Sequence, residues 1–336
     1  MSIEKVKEVR NIVESVKPNA IRLHFIYRIL KDGVPKKKKM LNKHTFTCER
    51  VDLTPELQEY FHKLLISQLA RTLSQPDVCV TDYAVVDDDL EGKVYTYALN
   101  NAKAFQHVVT DELSKGTSLP LCKSLDSAKE NLWAYSLTLE DKSINNPLYF
   151  FRRQRKNSVA TSENSGIRAI LSPKEEKLAI LKSESVSFDE KIDCFYCADN
   201  FFVLYKKGFE EVVGLVEEFS DAAEEVIKEI EDSGLIDGAN IILDESKNSI
   251  RTLRKLASLA KSGNHKNFSS ERIDKILSIS DRLQLNINIC DGKIVVKDSK
   301  DVDLLIKILD KYFVECMQTG DAYGSFAKTK LEAEPA

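Results

Sequence analysis

An α+β fold is the class this sequence predicts: antiparallel sheets with helices, in two domains, the C-terminal part helical with a β-hairpin. Three observations carry the prediction. Short alternating or β-branched runs come in pairs joined by turn residues. Longer segments with apolar residues at helical spacing lie between them, several opening on a capping residue. The last third is mostly of helical period, interrupted by one Asp-Gly hairpin. At 336 residues, 43% hydrophobic and 30% charged, the chain is long enough for about two domains with a sizeable core.

Residues 3–16 space Ile3, Val6, Val9 and Val13 as a short helix, which Pro18 ends. "IRLHFIYRI" then alternates. Ile21, Leu23, Phe25, Tyr27 and Ile29 share one face and Arg22, His24 and Arg28 the other, as in a half-buried strand. "KDGVPKKKKMLNK" is a loop, and "HTFTCERVDL" the return strand. Thr54-Pro55-Glu56 opens a helix that turns Leu57, Phe61, Leu64, Leu65 and Leu69 inward and ends near Ser74. Strands are expected at 78–86 and 93–99 and a helix over 101–114. Strands follow at 132–139 and 147–152, then a Ser- and Asn-rich loop at 155–166, then strands near 167–171, 177–181 and 185–188.

"KIDCFYCADNFFVLY" reads as a strand–turn–strand unit, and its Cys194-x-x-Cys197 pair invites a metal reading. Side chains alternate along a strand, so Cys194 points with Tyr196 and Cys197 with Phe195, to opposite faces. No second such pair completes a four-ligand zinc site. Both are expected to be core residues. The other cysteines, at 48, 79, 122, 290 and 316, are scattered and bring the count to an odd seven, which suits a reducing cytoplasm. Helices are expected at 209–231, 246–261, 270–282 and 301–317, with "LNINICDGKIVVKD" as a hairpin. No apolar run is long enough for a membrane span, and the amphipathic N-terminus lacks signal-peptide character.

The net charge of −4 excludes a uniformly basic nucleic-acid binder, but the charge is segregated. Residues 1–48, 149–182 and 246–282 carry local excesses of +8, +5 and +6, and 209–245 carries −12. Segregated basic surface is the footprint of phosphate binding, although charged helix faces are commonly just solvated. Three clusters stand out. Lys36, Lys37, Lys38 and Lys39 form a loop tip able to grip a backbone without reading bases. Arg152, Arg153, Arg155 and Lys156 follow the aromatic run Tyr149-Phe150-Phe151. Lys247, Arg251, Arg254 and Lys255 line one face of an amphipathic helix. Helix, helix and hairpin then follow in an order loosely like a winged helix.

One enzyme pattern competes. Pro76-Asp77 and Glu91-x-Lys93 match the letters of a PD-(D/E)xK nuclease, in which two acids hold Mg²⁺ and a lysine polarises water. Glu91, however, sits in a turn with Asp87, Asp88 and Asp89 rather than inside a strand. The five histidines lack ligand spacing, and no phosphate-cradling glycine loop is present.

"KIDCFYCADNFFVLYKKGFEEVVGL", "GKIVVKDSKDVDLLIKILDKYF" and "TGDAYGSFAKTKLE" together resemble the KwaB-like family over roughly residues 130–330, through element order and apolar and turn positions. That family supplies the soluble component of the bacterial Kiwa anti-phage defence system. The resemblance implies a cytoplasmic DNA-binding protein that works with a small membrane protein, KwaA, to impair phage DNA replication. It transfers no catalytic residue.

The reading is therefore an N-terminal α+β domain over 1–130 and a KwaB-like domain over 131–330, divided into a β-region to 207 and a helical region with a hairpin from 208. The function is phosphate-backbone DNA binding in phage defence, recruited by a KwaA-like membrane partner. No catalytic residue, metal or cofactor is assigned, and enzyme activity is disfavoured. The alternatives are the nuclease and a protein–protein adapter whose acidic and basic helices bind partners, including a second copy in a homo-oligomer.

Overall fold

The computed structural model describes residues 2–30, 44–85, 92–125, 131–141, 144, 146–155, 159–160, 169–172, 177–180, 185–271, 273–274, 277, 285–310, 313–315 and 322–324. The helices are α1 (Ile3–Ser15), α2 (Pro55–Leu73), α3 (Lys206–Val213), α4 (Leu215–Asp232), α5 (Ala239–Asn248), α6 (Ile250–Ser262) and α7 (Ser299–Leu309). The first strands are β1 (Ile21–Leu30), β2 (His44–Val51), β3 (Cys79–Asp82), β4 (Lys93–Ala98), β5 (Leu132–Leu139) and β6 (Tyr149–Arg153). Two small ladders follow, β7 (Val159–Ala160) with β10 (Ser185–Val186) and β8 (Ala169–Ser172) with β9 (Lys177–Ile180). The hairpin β11 (Cys194–Cys197) and β12 (Asn200–Val203) comes next. The remaining strands are β13 (Ile236–Asp237), β14 (Ile289–Cys290), β15 (Lys293–Val295), β16 (Phe313–Glu315) and β17 (Ala322–Gly324).

Eight strands make one sheet in the order β2-β1-β5-β6-β11-β12-β4-β3, antiparallel throughout except for the β3–β4 pair. The fold is thus α+β with mixed and antiparallel pairing, as the sequence predicts. The expected boundary at residue 130 falls inside this sheet, because β1–β4 precede it and β5, β6, β11 and β12 follow it. The chain instead divides into Met1–Glu217 and Glu218–Ala336, within α4.

In the first unit one face of the sheet is covered by α1 and α2. Val6, Val9, Val13, Phe61, Leu64, Leu65 and Leu69 pack against Leu23, Phe25, Tyr135, Leu137, Phe150 and Phe195. Thr54 caps α2 by accepting from the Leu57 amide at 3.4 Å, with Pro55 in the first turn. Leu57 itself, expected to face inward, is exposed. The other face is covered as well. Phe105 meets Phe46 and Phe151 edge-to-face at 5.5 Å each. Ala102, Val108, Val109 and Leu113 are buried beside it. The helix expected at 101–114 is here a run of 3₁₀ and π turns. Val108 and Leu113 are both buried, and a five-residue turn, closed by the Leu113 amide on Val108 O, serves that spacing.

Burial on both faces corrects the reading of β1 as half-buried. His24, assigned to a solvent face, is fully buried and bonded through Nδ1 to Thr138 Oγ1 at 3.2 Å. Burial, with Arg50 and Arg22 nearby, lowers its pKa to about 4.

In the second unit β15 pairs in parallel with β13 and antiparallel with β14. The β14–β15 turn places Asp291 and Gly292 at φ 50° and 75°, the conformation an Asp-Gly hairpin requires. The helix expected over 246–261 is two helices. Ser249 leaves the helical region and caps α6 by accepting from the Thr252 amide. The helix expected over 209–231 breaks likewise at Gly214, whose φ is 81°. The last helix, expected to reach 317, ends at Leu309. Among the described residues no helix is long and apolar enough to cross a membrane.

Candidate functional site

The aromatic run Tyr149–Phe151 builds a central strand, and that placement decides the fate of the arginines after it. Alternation sends Arg152 to the α1/α2 face, opposite Tyr135, and Arg153 to the other, opposite Ala134. Both belong to polar networks inside the first unit.

Arg152 is buried between two carboxylates, Asp189 and the fully buried Asp193. Asp193 also accepts the Arg153 amide at 2.7 Å. Burial works against the Arg152 charge, but the two acids outweigh it and hold the guanidinium above its ordinary range. Burial pushes Asp193 up to about 6, against the pull of Arg152, so it stays ionised at neutral pH. Gly208 of α3 lies directly on this carboxylate. A Cβ there would overlap Asp193, with even Oδ2 only 2.7 Å away.

On the opposite face lies Trp133. The β1–β5 register shifts between Ile26 and Tyr27, so Trp133 is the extra residue of a β-bulge, which re-aims its ring. Arg28 and Arg153, on the strands flanking β5, place their Cζ atoms 4.3 and 3.7 Å from the ring centroid. The indole N–H donates to Val212 O at 2.9 Å. Arg28 pairs with Glu217 at 2.5 Å and reaches His44 Nδ1 at 3.1 Å. Arg153 donates to the Trp133 and Gln154 carbonyls. Burial lowers the Arg153 pKa to about 10, which leaves it charged at neutral pH.

A third buried group went unnoticed in the sequence. Lys206 is 1% exposed, donates to Ala84 O at 2.7 Å and faces Tyr83 and Tyr95 at 5.0 and 5.4 Å. The equally buried Glu210 accepts from Tyr83 at 2.6 Å. A Lys and a Glu four apart read as a solvent-facing helix pair. The only contrary signal is that Gly208 and Phe209 lie between them on a short helix.

The remaining candidates sort by exposure. Arg155 and Arg251 are exposed, and Arg254 is partly exposed. Lys255 is pinned to Asp303, which also holds Lys307 at 2.7 Å. Lys247 lies on α5, not on the helix of Arg251. Lys36, Lys37, Lys38, Lys39 and Lys156 lie outside the described residues. Of the nuclease letters, Asp77 is exposed at positive φ in the turn before β3, and Lys93 opens β4, where Gly92 O receives the Cys79 amide. Glu91 lies outside the described residues, and among these no cluster of three or more acid, His or Cys side chains could hold a metal. Cys194 and Cys197 are both buried and free on β11.

With this geometry in place, comparison with protein families finds a match. The family model described as "Kiwa protein KwaB-like" covers residues 129–317, more than half of the chain. The chain belongs to the KwaB-like family. Membership makes it a component of Kiwa anti-phage defence. No curated protein and no solved structure matches it. The matched span supplies the four central strands of the sheet, β5, β6, β11 and β12. The segment before it adds two strands at each side.

Proposed function

We propose that this KwaB-like chain is the DNA-holding component of its defence system. It acts in the cytoplasm and grips the phosphate backbone largely without reading bases. Together with a KwaA-like membrane partner it impairs phage DNA replication. The observation that supports this most is the outer surface of α5 and α6. Arg251 and Lys261 are exposed, and Arg251 makes no ion pair among the described residues. Lys247 is 60% exposed, and its nearest acid, Asp244, is 3.9 Å away and 73% exposed, a pairing worth little in water. Exposed cations without a base-reading set suit backbone contact. Arg155 belongs to the same proposal, as do Lys36–Lys39 and Lys156. Arg152 and Arg153 leave it, because their guanidinium groups are committed inside the first unit.

The test is fluorescence anisotropy on two short duplexes of unrelated sequence across a salt series. The double variant Lys247→Glu/Arg251→Glu should weaken binding to both alike. It should also flatten the log–log salt slope by roughly 0.9 for each phosphate that is no longer neutralised. Unchanged binding, or a loss confined to one sequence, overturns the assignment.

A further inference from the structure

A buried side-chain nitrogen or oxygen without a hydrogen-bond partner is costly, so each one points to something that satisfies it. Among the described residues eight atoms are in that position, and they are unevenly placed. The sheet face under α1 and α2 has Tyr135 Oη alone. The other seven lie on the opposite side. Arg28 Nε, Arg153 Nε and Glu217 Oε2 belong to the Trp133 stack, and His107 Nε2 to a ring packed on Phe46. The last three form a row across adjacent strands. His24 on β1 is paired with Arg50 on β2 and with Ser136 on β5, so all three side chains leave one face, with neighbouring Cβ atoms about 4.5–5.5 Å apart. The orphan atoms are Arg50 Nε, His24 Nε2 and Ser136 Oγ. His24 and Ser136 are fully buried, and the hydroxyl is the whole hydrogen-bonding capacity of the Ser136 side chain.

We propose that this row is a binding site for buried water, with at least one molecule held between His24 Nε2 and Ser136 Oγ and reached by Arg50 Nε. The chemistry of the three atoms selects the ligand. Arg50 Nε can only donate, and Ser136 Oγ both donates and accepts. His24 Nε2 does one or the other, according to the tautomer that its Nδ1 contact with Thr138 Oγ1 selects. The occupant therefore has to accept and donate within one small volume. A metal cation would meet the Arg50 charge. An anion would find a single cation, whose Nη1 already lies 3.4 Å from Asp52, and an imidazole that burial keeps neutral. An apolar occupant would leave all three atoms unpaired. Water meets every requirement, since a buried molecule typically makes about three hydrogen bonds and takes either role in each.

Ser136→Ala gives opposite signs with and without the water, because it deletes one oxygen and little else. With a bound water the variant loses a hydrogen bond. The folding equilibrium constant of the full-length protein should then fall about fivefold in urea melts, the equivalent of about 1 kcal/mol. Removal of a hydroxyl that has no partner would instead leave stability unchanged or raise it. Ser136→Val fills the site with methyl groups. Oxygen-17 relaxation dispersion of the solvent, which counts waters held in a protein for longer than its tumbling time, should show at least one fewer in this variant than in the parent. A Ser136→Ala protein as stable as the parent or more stable overturns the proposal. So does an unchanged count in Ser136→Val. Should Ser136→Val unfold, the sign for Ser136→Ala alone decides.

Discussion

Gly208→Ala probes the Arg152–Asp193 network without touching either partner. The added Cβ overlaps the Asp193 carboxylate, which is fully buried and has nowhere to move without leaving Arg152 and the Arg153 amide. Removing one partner of a buried ion pair costs about 3–5 kcal/mol. The lower end applies here, about 3 kcal/mol, because Arg152 keeps Asp189, whose side chain is 53% exposed and so a weaker partner. Alanine returns up to about 1 kcal/mol of helix propensity. The net loss is about 2 kcal/mol, which for a unit of this size lowers the melting temperature by roughly 4–8 °C. Asp193→Ala alone should cost about 3 kcal/mol on the same grounds. In the double variant the overlap is gone and the helix gain remains, so the cost should be about 2 kcal/mol rather than the additive 5. Urea and thermal melts of the four proteins by circular dichroism measure this cycle. A Gly208→Ala protein as stable as the parent, or additivity within about 0.5 kcal/mol, would refute the close-approach argument.

Arg152→Glu sets a third carboxylate between Asp189 and Asp193. It should destabilise the first unit by more than about 3 kcal/mol, so any loss of DNA binding should track the unfolded fraction in a melt. His24 gives a pH prediction. Its folded pKa, about 4, lies below the unfolded value near 6.5, so the unfolded chain binds the extra proton between them. That stability is fully present above pH 6.5 and lost as pH falls toward 4. It amounts to about 3 kcal/mol, and urea titrations should show a drop of that size in the parent relative to His24→Gln. A truncation beginning at residue 131 keeps most of the family-matched span but removes the strands that cover β5 and β12. It should fail to give a cooperative melt, and a well-folded fragment would show that the N-terminal strands are dispensable.

Local pattern was a good guide where one element settles its own conformation. Thr54-Pro55-Glu56 starts α2, Asp291-Gly292 turns its hairpin, and Cys194 and Cys197 are core residues on a strand. Pattern misled where a second layer decides. The alternation of β1 is real, but a covered far face turns His24 from surface to core. The basic character of α6 is also real, yet Lys255 is taken by Asp303, a residue 48 positions away. The bulge that brings Trp133 between Arg28 and Arg153 depends on the register of three strands, and nothing in "NLWAYSL" announces it. The residue-130 boundary followed the break in local pattern, whereas hydrogen bonding between distant strands runs across it.

The cationic run Arg152-Arg153-x-Arg155-Lys156 is also the clearest case of charge whose meaning depends on strand position. A guanidinium on an edge or loop is free to meet a phosphate at little cost. One on a central strand between two covered faces must find acceptors or a π-face within the protein. Arg152 found two carboxylates and Arg153 an indole and two carbonyls, and Gln154 closes the passage by donating to Ser187 O at 2.8 Å. Exposure returns only at Arg155, where the strand has ended. The proposed phosphate contact along this run is therefore confined to Arg155 and beyond, and charge reversal at Arg152 or Arg153 should report on folding. Reversal at Arg251 on α6 tests the proposed binding surface, because its guanidinium carries no internal ion pair among the described residues.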